Sequence, residues 1–207
     1  MSDKYLNFKE LQVSEKEGID YRTTVKRSLS GWLIMAPHGG GIEPGTSEIA
    51  ESIAKSDCSL YMFEGIKPAR NATLHITGTR FDDPLAFEML KSSNRTIAIH
   101  GCSGDEKVAF VGGRDNETVK AIMDQLLNAG FKSMESPNPL LQGVNVENIC
   151  NKNKTGLGAQ IELTEGLRKT MFESLARSGR TTRTLVFQSF VVSVRKVIDM
   201  LNQNDKL

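Results

Sequence analysis

No stretch of this sequence comes near the roughly 20 consecutive apolar residues that a membrane-spanning helix requires. The longest apolar stretches, around Trp32 to Pro37 and Val191 to Leu201, are short or broken by charges, so no transmembrane helix is expected. Cysteine is scarce: Cys58, Cys102 and Cys150 are odd in number and form no Cys-x-x-Cys. That argues against a disulfide framework and fits a reducing compartment. A dominant charge is missing too. With 26 basic and 25 acidic side chains the formal net charge is +1, so no overall field draws the chain onto nucleic acid or an anionic membrane. Attraction to an acidic partner has to be local. The first ten residues alternate charge and polarity where a signal peptide needs an apolar h-region. Synthesis in a cytosol is therefore expected, with release by lysis as a route outward. Neither nucleic acid nor membrane is expected as a partner, and the expected state is a monomer.

What is present is ordinary globular composition. The 207 residues, 39% hydrophobic and 25% charged, suit one domain spanning 1–207 with a sizeable core. After a polar opening segment, the near-continuous apolar run Gly31 to His38 reads as a buried central strand. It ends in Gly39, Gly40 and Gly41, followed by Glu43, Pro44 and Gly45. Ile49, Ala50, Ile53 and Ala54 then recur at helical spacing, giving strand, glycine loop, helix. Further strands are expected at Leu60–Phe63, Leu74–Thr77, Thr96–His100, Val108–Val111 and Ala159–Leu163, and helices at Pro84–Leu90, Glu117–Leu127, Glu165–Ala176 and Val186–Leu201. The alternation predicts an α/β fold: a single domain with an open, twisted, mostly parallel or mixed sheet and helices on both faces. Glu135 to Thr155, rich in Asn, Pro, Gly and Lys, reads as an irregular connection of a length that is often functional.

Of only three histidines, His38 and His100 each close an apolar strand directly before a glycine. In open α/β sheets, ligands bind beyond the carboxyl ends of the strands, so both imidazoles should enter one crevice. Glu43 follows His38 by five residues across the glycine loop, within reach of the same ion. Two imidazoles and a carboxylate suit zinc, with a fourth position left for water as in catalytic rather than structural sites. Either histidine alone would more simply hydrogen-bond nearby backbone; the pair with Glu43 favours a metal. Cys102 is an alternative ligand in place of Glu43, although a buried structural thiol is the simpler reading. In Gly158 to Arg168, period-two alternation puts Ala159, Ile161 and Leu163 on one face and Gln160 with Glu162 on the other. Glu162 is then either an edge-strand glutamate facing solvent or, beside a metal, the general base toward water.

Taken together, Pro37–Thr46 (PHGGGIEPGT), Leu74–Thr77 with Thr79–Asp82, His100–Cys102, Val111–Asp115, Asn148–Asn151 and Gln160–Thr164 resemble the phage and Bacillus poly-γ-glutamate hydrolase family, from about Trp32 to Arg168. The resemblance implies a zinc carboxypeptidase-like α/β fold and hydrolysis of γ-glutamyl amide bonds. It also implies zinc (Zn2+) on His38, Glu43 and His100, and a general base at Glu162. The first ligand pair is His-x4-Glu here, against His-x-x-Glu in the better-known zinc carboxypeptidases, so the mode of cleavage does not carry over.

A γ-linked glutamate polymer carries one free carboxylate per residue, which guanidinium groups bind through paired hydrogen bonds. Arg80, Arg114 and Arg168 are candidates for that role, with Asn151 and His75 added from the family-like segments, His75 in a substrate-binding or ligand-orienting part. Arg177, Arg180, Arg183, Arg195 and Lys196 form a basic trend that reads as a solvated face, because the apolar residues between them look like core contacts. The rival readings are a zinc amidohydrolase acting on another amide, such as a peptidoglycan peptide or an N-acyl group, and a non-catalytic phage-related binding protein whose histidines are structural.

Overall fold

The computed structural model describes residues 3–204. Seven strands build its framework: β1 (Tyr21–Lys26), β2 (Trp32–Gly40), β3 (Ser59–Gly65), β4 (Arg95–Cys102), β5 (Val108–Gly113), β6 (Lys132–Met134) and β7 (Ala159–Thr164). They form one open sheet in the order β1-β3-β2-β4-β7-β5-β6. The β3-β2-β4-β7 core is parallel, β5 runs antiparallel to β7, and β1 runs antiparallel to β3. The carboxyl ends of β2, β4 and β7 therefore share one edge. All nine residues of β2 and all six of β7 are buried, as strands covered on both faces must be.

Period-two alternation divides these strands between two cores. Ile34, Ile97, Ile99 and Ile161 point to one face and pack under α2 (Thr46–Ala54), α4 (Asn116–Asn128), α5 (Glu165–Met171) and α6 (Leu185–Asn204). Leu33, Met35, Tyr61 and Ala98 point to the other, under α1 (Phe8–Ser14), α3 (Pro84–Lys91) and the segment around Leu74 to Phe81. Among the described residues no helix is long and apolar enough to cross a membrane.

Several elements differ from the sequence expectation. Leu74–Thr77 is not a strand: a 3-10 turn covers Asn71–Leu74, and the chain runs irregularly through His75. The polar opening segment, for which no element was expected, holds α1 and β1. Helix α1 is capped by Asn7, whose side chain accepts from the Glu10 N–H while Glu10 accepts from the Leu6 N–H. The helix expected over Glu165–Ala176 stops at Met171. The basic trend near the C-terminus is only partly a solvated face. Arg180 and Arg195 are buried, paired with Glu48 at 2.7 Å and Asp57 at 2.6 Å.

Candidate active site

The local structure of β2 decides which way His38 faces. Through Leu33–Ala36 the strand pairs in step with Ser59–Met62 of β3, but the next pairing is Gly39 with Glu64. Three residues of β2 thus span two of β3, a bulge at Pro37 and His38. Strict alternation from Met35 would send His38 into the core beneath α2. The extra residue turns it to the opposite face, the one His100 occupies two residues beyond Ala98. The proline costs no ladder bond there, since bulges are where strand prolines are tolerated. Beyond the bulge, Gly40 has φ +64, and a Cβ on it would lie 2.5 Å from the Gly65 carbonyl oxygen, so the turn that carries Glu43 back toward the sheet requires glycine.

His38, Glu43 and His100 are brought together. His38 Nδ1 lies 3.1 Å from Glu43 Oε1 and 3.1 Å from His100 Nδ1, and His100 Nδ1 is 3.8 Å from Glu43 Oε2. The Gly101 N–H donates to Glu43 Oε2 at 2.8 Å, fixing the carboxylate against β4. His38 Nε2 donates to the Ile76 carbonyl at 2.8 Å, which leaves the Nδ1 lone pair facing the cluster. Two imidazole nitrogens 3.1 Å apart repel unless a proton or a cation lies between them. Zinc with ligands at about 2.0–2.1 Å in a tetrahedron separates neighbouring donors by about 3.3 Å, close to the spacing here. The donor set is suited to such an ion.

The electrostatics agree. Burial works to raise the Glu43 carboxyl, but the His38 charge and hydrogen bond outweigh it and hold the group at about 2. Burial, then the His38 charge, take His100 down to about 3. Both are thus in the forms that bind metals. Burial disfavours a proton on His38, yet the Glu43 charge and hydrogen bond and the Ile76 carbonyl shift it upward overall. Burial pushes the Cys102 thiol up to about 12, which disfavours it as a replacement for Glu43.

Glu162 is not on a sheet edge. Strand β7 lies between β4 and β5, and Glu162 pairs in register with His100, so the two side chains leave the same face of adjacent strands. Burial first and the Glu43 charge second push Glu162 well above the ordinary carboxylate range; a cation in the neighbouring triangle acts in the opposite sense and favours the base form. Gln160, one step along the same face, donates to Glu162 Oε1 at 3.3 Å and to the Leu141 carbonyl at 3.0 Å.

These groups floor a cleft of about 680 Å³ lined also by His75, Thr77–Thr79, Cys102 and residues 138–141, 143–145 and 148 of the long irregular segment. The described lining residues include two carboxylates and no lysine or arginine. Asn151 does not reach the cleft. Its amide donates to the Gly143 and Asn145 carbonyls at 2.8 and 2.9 Å, and it accepts from the Gly158 N–H at 3.0 Å, so it shapes the wall from behind. Asn148 joins in by donating to Gln160 Oε1 at 3.0 Å. Arg80 faces a neighbouring depression and pairs with Asp3 at 2.6 Å. Arg114 donates to the Gly156 carbonyl at 3.2 Å, outside the cleft. Arg168 is buried beneath it, donating to the carbonyls of Leu163, Pro44 and Cys102 at 3.1, 2.8 and 3.1 Å. It therefore anchors Pro44, the neighbour of Glu43. Sequence reasoning missed Asp3 and the bracing role of Gln160. Nothing local marks Asp3, whereas Gln160 shares the Glu162 face by simple alternation.

Fold and site define an α/β protein with a cleft at the carboxyl edge of its parallel strands, floored by His38, Glu43, His100 and Glu162. The chain belongs to the poly-gamma-glutamate hydrolase family, whose model matches residues 5–193. It is 41% identical to the SPbeta prophage-derived UPF0714 protein YoqZ of Bacillus subtilis (strain 168), over 96% of this chain and 72% of that protein. The solved structure of a bacteriophage poly-gamma-glutamate hydrolase superposes with a TM-score of 0.95 at 28% identity, covering 98% of this chain and 100% of that one. The apo, zinc-free structure of YndL gives 0.89 at 39% identity, covering 96% and 98%.

Proposed function

We propose that residues 1–207 act as one zinc-hydrolase domain that cleaves the γ-glutamyl amide bonds of poly-γ-glutamate. The observation that carries this reading is the triangle of His38, Glu43 and His100 donors with Glu162 in register beside it. Family membership supplies the substrate, and the zinc-free state of the YndL structure supports the choice of metal. The cleft lining supports a cation independently, since two carboxylates without a lysine or arginine would repel a polyanion.

His38, Glu43 and His100 would hold the ion, which when bound supplies a Lewis acid for the scissile carbonyl and lowers the pKa of water to about 7. Glu162 takes the proton from the attacking water and returns it to the leaving nitrogen, so that the C–N bond breaks to a carboxylic acid and an amine. Gln160 holds Glu162 Oε1, leaving Oε2 to move the proton. Gly101 and Arg168 keep Glu43 in place through the backbone contacts described above. The test is a panel of amides: poly-γ-glutamate, a peptidoglycan stem peptide and an N-acylglutamate, with newly released amines counted. Release from poly-γ-glutamate is expected. Release only from another member of the panel would keep the site and overturn the substrate.

A further inference from the structure

His75 stands at the mouth of the cluster. Its ring lies against that of His38, tilted by 39° with centroids 4.1 Å apart, and its Nε2 lies 3.7 Å from Glu43 Oε1. One ligand atom each from His38, Glu43 and His75 all fall within 4.8 Å of one another. The His75 side chain is 35% exposed, against 2% for His38 and 5% for His100, so it is the most exposed of the three imidazoles.

No regular element fixes His75, because it leaves a 3-10 turn into irregular chain. What fixes it comes from the other end of the sequence. Asp3 Oδ1 accepts from His75 Nδ1 at 2.7 Å, and Asp3 Oδ2 accepts from the Thr77 N–H at 2.7 Å and from Arg80 at 2.6 Å. The Asp3 side chain is only 3% exposed. The rest of the N-terminal segment grips the same loop: the Phe8 N–H donates to Asp82 at 2.6 Å, and Lys67 pairs with Glu15 at 2.6 Å. A carboxylate on Nδ1–H sets the tautomer and leaves the Nε2 lone pair directed at the Glu43 side of the site. Metal-binding histidines characteristically donate their other N–H in this way.

We propose that Asp3 is a positioning residue for the metal site, acting through His75, which forms a fourth protein arm at the cleft mouth. The inference rests on the zinc reading above. It makes the N-terminal segment part of the site rather than a decoration of the fold.

The experiment measures zinc dissociation constants by competition with a chromophoric chelator for the full chain, Asp3→Asn, His75→Ala and the double variant, with melting of each metal-free protein as the check on folding. Asp3→Asn should weaken zinc by about 10- to 100-fold, His75→Ala by at least as much, and the double variant no more than His75→Ala. Unchanged zinc affinity in His75→Ala would overturn the proposal. So would an equal loss from Asp3→Asn with and without His75, which would mean that Asp3 acts only by clamping Thr77 and Arg80. A full chain that binds no zinc would overturn the metal reading itself and this inference with it, so the two failures are distinguishable.

Discussion

Replacing Glu162 by glutamine removes the proposed base while disturbing little else. The side chain is 7% exposed and sits in a central strand, so a substitution that changed volume would be felt throughout the sheet. Glutamine is isosteric. Its amide oxygen can accept the 3.3 Å hydrogen bond from Gln160, and the backbone register with His100 is unaffected. The change also removes a buried acid whose charged form is strongly disfavoured by burial and by Glu43, so stability should hold or rise slightly. A positioned general base contributes about 10²- to 10⁴-fold, which corresponds to about 3–5 kcal/mol of barrier. The expected result of Glu162→Gln is therefore a fall of that size in kcat, with KM, zinc content and melting temperature near those of the parent. The assay is initial-rate release of amines from poly-γ-glutamate, paired with metal analysis of the same samples. Turnover within a few-fold of the parent, with zinc bound, would refute the assignment of Glu162 as the base.

Gly101→Ala should damage the site from beneath. A Cβ there would meet the Arg168 guanidinium carbon at 2.8 Å and Nε at 2.9 Å, displacing the group that caps Pro44. A loss of about 1–3 kcal/mol by urea denaturation is expected, with weaker zinc binding at temperatures where the variant is still folded. The N-terminal segment should be acid-sensitive. Burial opposes ionisation of both Asp3 and Glu15, but hydrogen bonds from Thr77 and His75 to Asp3, and from Lys67 and Tyr5 to Glu15, hold both at about 2. Depressed folded values mean that the stabilisation is full above the unfolded values near 4 and is lost as pH falls toward 2. Limited proteolysis should release the segment across that window, and Glu15→Gln should be cut more readily at neutral pH.

Much of this architecture was legible because the signals were local. The run Trp32–Ala36 reports burial directly, the alternation in Ala159–Leu163 sorts Gln160 and Glu162 onto one face, and the strand-end histidines before glycine pointed to one crevice. What was not legible depends on pairing between distant segments. The bulge that turns His38 toward His100 shows only against β3, and Pro37 alone does not announce it. Strand β1 carries charges among its β-branched residues because it lies at the sheet edge, and α1 is short, although its Asn7–Glu10 cap was readable. Leu74–Thr77 has strand-like composition, but Leu74 and Ile76 are buried from an irregular segment, where tertiary packing overrides propensity. The arginines were chosen for charge without knowing their partners. The structure occupies Arg80 with Asp3 and Arg168 with three carbonyls.

The most direct test of the account follows the length of poly-γ-glutamate by size-exclusion chromatography after incubation with the protein as prepared, after chelation, and after chelation with zinc restored. The account predicts shortening that stops on chelation and returns with zinc. Shortening that persists in protein shown to be free of metal would contradict it.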